Sequence, residues 1–174
     1  MFEGCAYLST QPEFTMQRRD ILFSGFTLAT AAWPLASMAH HGWSSFDQGR
    51  PIYLEGKVVK SKWGNPHAEL VLELPAQLKL PGDLAGRAVP AQTAPVDGPA
   101  LLAKAVLPKR KDRRWEIELA PITRMEAWKV AEIKVGAQVA VVGFTLTDEK
   151  GEAVLRVEYL FADGKTYALR SGPA

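Results

Sequence analysis

The chain has 174 residues, 47% of them apolar and 23% charged, with a formal net charge of +2. This is ordinary globular composition, which excludes disordered and fibrous classes, and so small a charge gives no electrostatic case for nucleic acid. The single cysteine, Cys5, leaves no disulfide framework and no thiolate metal site.

The first segment reads as an export signal. Arg18 and Arg19 supply a positive start, Ile21 to Leu35 supply an apolar run, and Ser37 and Ala39 put small side chains three and one residues before a peptidase cut. "QRRDIL" resembles the twin-arginine motif, which favours that route over the general secretory one. Thr27, Thr30, Pro34 and Ser37 interrupt the run before about 20 apolar residues accumulate, so no stable membrane insertion is expected after cleavage. The residues before Met16 carry no signal logic, and Met16 is the expected natural start. Cleavage after Ala39 leaves 135 residues beginning at His40, with a net charge of +3 and no cysteine. The expected location is the bacterial periplasm or beyond.

Residues 40–51 form an N-terminal arm, and residues 52–174 a domain whose apolar period is mostly two. The first expected strand, 52–62, slips register at Val58-Val59, as a bulge would. "KWGNPH" then turns the chain, and a second strand puts Ala68, Leu70, Leu72 and Leu74 on one face. Six prolines and several glycines between Pro75 and Arg114 predict an irregular insert, closed by the charge run "PKRKDRR", which suits a solvated edge or an acidic partner. "WEIEL" predicts a third strand with Trp115, Ile117 and Leu119 inward. Thr123 and Glu126 have capping-box spacing for a short helix over 123–130, with Met125 and Trp128 on its buried side. "KVGAQVAVVGFTL", "EAVLRVEYLFA" and "KTYALR" predict three more strands, the last two joined by a turn at Asp163-Gly164.

Three strands, a helix, then two strands and an extra edge is the element order of an OB-fold. The expected class is therefore mainly β: a small OB-fold-like Greek-key barrel of five to six strands with one short helix.

Several pieces together resemble the exported bacterial proteins of the DUF6152 family. They are "HHGWSSFD", the Gly-x-Val at Gly56 to Val58, "NPH" at Asn65 to His67, "WEIE" at Trp115, "KVG" before the fourth strand, and the closing Asp-Gly pair. The resemblance spans nearly all of residues 40–170. Two departures are the length of the Pro-rich insert and "EAWKVAEIKVG" in place of the family's Gly-Trp approach to strand four. The resemblance implies the boundaries above and picks out His40, His41 and His67, but it implies no activity.

Those three are the only histidines in the chain. A free N-terminal His40 would offer its amine and ring nitrogen as a chelate, and His67 a further imidazole, with His41 as another candidate ligand. An amine-imidazole set without cysteine or carboxylate favours copper over zinc. The set resembles a histidine brace by its ligands alone, not by fold. Strand one spans about 36 Å with His67 at its far end, so the arm, about 40 Å when extended, must run back along the barrel. Trp43 and Phe46 give it apolar side chains to dock with.

Other constellations carry less. Trp43, Trp63, Trp115 and Trp128 suit core positions better than a ligand groove, and Asp47, Glu69 and Glu73 suit exposed sites better than acid-base catalysis. No phosphate loop, nucleophile elbow or zinc-hydrolase motif is present. Two functions follow: a periplasmic copper-binding protein that holds or hands over the metal, or a metal-free OB-fold module that binds a small ligand or protein partner through an open barrel face and the Pro-rich loop.

Overall fold

A computed structural model describes residues 42–174. Six strands form one sheet: β1 (Ile52–Lys62), β2 (Glu69–Glu73), β3 (Arg114–Glu118), β4 (Gln138–Phe144), β5 (Val154–Ala162) and β6 (Lys165–Ala168). Their order is β3-β2-β1-β4-β5-β6, and a parallel pairing of β3 with β5 closes the first five into a barrel, leaving β6 outside. That is the OB-like barrel expected from the element order.

β1 makes closure possible by serving two neighbours. Its first half pairs with β4, from Ile52↔Gly143 to Lys57↔Gln138, and its second half with β2, from Lys57↔Glu73 to Lys62↔Glu69. The register slips between Val58 and Lys60, at the expected bulge, where the extra residue bends the strand. Just before it, a side chain at Gly56 would bring a Cβ within 2.5 Å of the Glu73 carbonyl, so only glycine permits this approach.

The barrel is filled by alternate residues of every strand. Ile52, Leu54, Leu70, Leu72, Trp115 and Ile117 meet Val139, Val141, Leu155 and Leu160, all buried. Among the described residues two short α-helices are present rather than the one expected. In α2 (Ile122–Ala127), between β3 and β4, Met125 enters the barrel core. The expected capping box does not form: Pro121 is the N-cap and no side chain caps the helix. Thr123 therefore lies inside the first turn instead of before it. The helix also stops before 130. Lys129 takes φ +54, its N–H bonds Glu126 O, and Val130 N–H bonds Met125 O. This Schellman closure satisfies the last carbonyls and turns the chain toward β4.

The insert is less irregular than its prolines suggest. It contains a 3-10 turn at Leu84–Gly86 and the second helix, α1 (Gly98–Lys104). Pro99 is tolerated because it occupies the first turn, where its missing N–H is not needed, while Asp97 caps the Ala100 N–H at 3.0 Å. Leu84 and Leu102 bury themselves against Tyr53, Val142 and Tyr159 on the outside of the barrel. The barrel is closed, and the insert covers one of its outer faces.

Two buried carboxylates fasten this covering. Glu158 on β5 is fully buried and accepts from Gln92 Nε2 at 2.8 Å and Arg170 Nε at 2.7 Å. Glu149 accepts from the backbone N–H groups of Lys109 and Arg110 and from the Arg50 guanidinium. The insert is thereby tied at its middle, through Gln92, and near its C-terminal end, through Lys109 and Arg110.

Candidate functional site

The arm docks as its apolar side chains suggest. Trp43–Ser45 form a 3-10 turn, Phe46 bridges Leu146, and Asp47 N–H donates to Thr145 O at 2.9 Å. Phe46 is buried against Phe144 and Val154. Trp43 meets the Phe144 ring edge-on, with centroids 6.2 Å apart.

Two arginines flank Trp43. The guanidinium carbon of Arg156 lies 4.9 Å from its ring centre and 5.8 Å from that of Phe46. That of Arg170 lies 4.3 Å from Trp43, and Arg170 also donates to Gln48 Oε1 at 2.8 Å. Each guanidinium holds a buried carboxylate as well: Arg156 donates to Glu118 Oε2 at 3.3 Å, and Arg170 to Glu158. Cations over tryptophan gain most where they are desolvated, as Arg156 is here and Arg170 is in part. Burial pushes the Arg156 guanidinium below its ordinary value, opposed by the Glu118 carboxylate, with Arg124 adding to the downward shift.

Barrel closure connects this cluster to the β2 edge. Phe144, Arg156, Glu118, Glu69 and Lys62 are successive register partners across β4, β5, β3, β2 and β1. Cross-strand partners share a face, so these residues form one row on the outside of the barrel. Lys62 Nζ pairs with Glu69 at 3.1 Å. Next to the row, burial raises the Glu116 pKa, as do the charges of Glu69 and Glu152, while Lys60 and Lys62 oppose the shift.

His67 stands at the start of this face. It is half-buried, follows the cis Asn65–Pro66 peptide, and directly precedes Ala68, whose N–H bonds Ala120 O and whose carbonyl accepts from Leu119, each at 3.0 Å. The other two candidate ligands, His40 and His41, lie outside the described residues, as do the export signal and Cys5. Among residues 42–174 no three His, Cys, Asp or Glu side chains group as a metal site.

The three weighed carboxylates do not form a catalytic set. Asp47 caps the Gly49 N–H, Glu69 pairs with Lys62, and Glu73 at the opposite end of β2 faces Arg113 at 3.9 Å. The tryptophans separate likewise. Trp115 is core, Trp128 is half-buried with Nε1 donating to Ser171 O, and Trp43 belongs to the arm.

The sequence reading missed the Glu118–Arg156 and Glu158–Arg170 pairs. A signal was available: in "VLRVEYL", Arg156 and Glu158 fall two apart in an otherwise apolar strand, so both share a face. Such charges imply buried partners, because isolated charges are not buried.

No curated protein and no solved structure matches this chain. Residues 28–79, a stretch running through the arm, β1, the His67 turn and β2 and ending inside the insert, match a family of unknown function, DUF6152, and it is this family that the chain resembles.

Proposed function

We propose that this protein is an exported copper-binding protein. After cleavage before His40, the terminal amine and the imidazole of His40, together with His67 and with His41 as a further donor, take up the ion for holding or transfer. The observation that carries this reading is the anchoring of Trp43 at Arg156. Arg156 is joined through Glu118 to Glu69, two residues from His67. Two strand spacings separate Arg156 from Glu69, about 10 Å, and three residues back from Trp43 also reach about 10 Å. That reach would let an arm docked at Trp43 bring His40 to His67 without the long return along β1.

The chemistry follows from the donor set. An amine and imidazoles bind copper well and release it on protonation, so falling pH favours release, as a carrier requires. The test is copper(II) titration into protein beginning at His40, beside His67→Ala and a version with one added N-terminal residue. Both changes should weaken binding by at least about tenfold, because each removes a ligand or the chelate ring. Equal affinity in all three proteins would sink the copper reading and leave the metal-free interaction module.

A further inference from the structure

The charge run that closes the insert has a different setting from the histidine face. Between Lys109 and Arg114 the chain carries five cations and one acid, Asp112. Lys109, Lys111 and Arg114 are exposed, and among the described residues no carboxylate pairs with them. The segment borders a groove of about 390 Å³, with Arg110, Lys111 and Arg113 along its rim and Asp112, paired with Arg110, among them. Leu74, Pro75, Leu78 and Leu107 contribute its apolar lining.

The run is held rigidly from beneath. Glu149 accepts the N–H groups of Lys109 and Arg110 at 2.9 to 3.0 Å, and Arg110 donates to the Glu149 and Gly151 carbonyls. The Arg113 guanidinium binds Leu74 O at 3.1 Å, and Trp115 Nε1 binds Asp112 O at 2.9 Å. A solvated charge run needs no such fastening. The backbone that carries Lys109, Lys111 and Arg114 is thus held beside an apolar groove, which lowers the ordering cost of docking, and their cations are available to a partner's carboxylates.

The geometry points to this groove as a docking site for an acidic, partly apolar segment of a partner protein. Its leucine-type side chains enter the floor over Leu74 and Leu78, while its carboxylates meet Lys111 on the rim and Lys109 and Arg114 beside it in the chain. The apolar concavity separates this occupant from nucleic acid, which would offer phosphates without aliphatic side chains. The site is independent of copper binding and of His67.

The experiment uses the chain beginning at His40 and a fluorescein-labelled octapeptide of alternating Glu and Leu, read by anisotropy. Its Gln-Leu counterpart and heparin serve as comparison ligands. Lys111→Glu with Arg114→Glu should weaken binding of the acidic peptide by about tenfold, whereas the same charge change at Lys104 and Lys165 should alter it less than about twofold. Binding should also fall as salt rises from about 0.05 to about 0.5 M. Equal weakening by both charge reversals, equal binding of the Gln-Leu peptide, tighter binding of heparin, or no binding of the acidic peptide would each overturn the proposal.

Discussion

Arg170 holds the fully buried carboxylate of Glu158 through a 2.7 Å hydrogen bond. The same guanidinium packs over Trp43, so one side chain joins the arm, β5 and the C-terminal segment. Removing it leaves Glu158 with Gln92 as its one remaining side-chain donor. Arg170→Ala should lower stability by about 3 kcal/mol, the usual cost of stranding a buried charge. Glu158→Leu combined with Arg170→Met should recover part of that loss. Denaturant unfolding measures both, and a loss under about 1 kcal/mol for the single variant would contradict the account.

Acid should loosen the tie at Glu149. Burial is the largest single influence there and raises its pKa, but the N–H groups of Lys109 and Arg110, together with Arg50, outweigh it and hold the carboxyl below its ordinary value. A depressed folded-state pKa gives stability that is fully present above the unfolded value, about 4.3, and lost as pH falls through the folded one. The stability difference between the wild type and Glu149→Gln should be constant near pH 6 and shrink below about pH 4.5. Thermal unfolding across that range decides it, and a gap that widened in acid would reverse the sign.

Gly143 should tolerate no side chain. A Cβ there would lie 2.1 Å from the Arg156 carbonyl and 2.6 Å from Leu155 Cδ2, at the slip in the β4–β5 register. Gly143→Ala should cost about 3 kcal/mol or more, since backbone must move. Gly136, with φ +98 and nothing near its Cβ position, should cost about 1 to 2 kcal/mol on the same change, from backbone strain without a clash. Similar losses at the two glycines would argue against steric exclusion at Gly143.

Phe46 anchors the arm in a small cluster with Phe144 and Val154. Phe46→Ala should cost about 3 kcal/mol and expose residues 42–51 to limited proteolysis, with the barrel itself intact. No histidine changes in this variant. On the copper reading, its affinity should nevertheless fall by about tenfold, because the arm is no longer held beside β2. Unchanged proteolysis would show that the docking contributes little.

Periodicity alone determined much of the architecture. Alternation in each strand dictated which side chains fill the barrel, and β1 runs over the very span expected, with its bulge at Val58. The turn at Asp163-Gly164 was legible because Gly164, and Asp163 beside it, accept positive φ, here +70 and +51, as a two-residue hairpin demands. Element order was enough to give an OB-like class. These are local properties, written in neighbouring residues.

What lies beyond local pattern was decided by the tertiary structure. Capping chemistry at Thr123 and Glu126 gave way to Pro121, because the way the chain leaves β3 determines where the helix starts. The prolines of the insert misled for a related reason: Pro99 breaks a helix in its middle but not in its first turn, and the burial of Leu102 supplies the packing that a seven-residue helix lacks alone. Pairings such as Glu118 with Arg156, or Gln92 with Glu158, join residues 38 and 66 positions apart. Only the parallel closure of β3 on β5 brings Glu118 and Arg156 side by side, and that closure is set by the volume of side chains the whole barrel must enclose, which no short stretch of sequence contains.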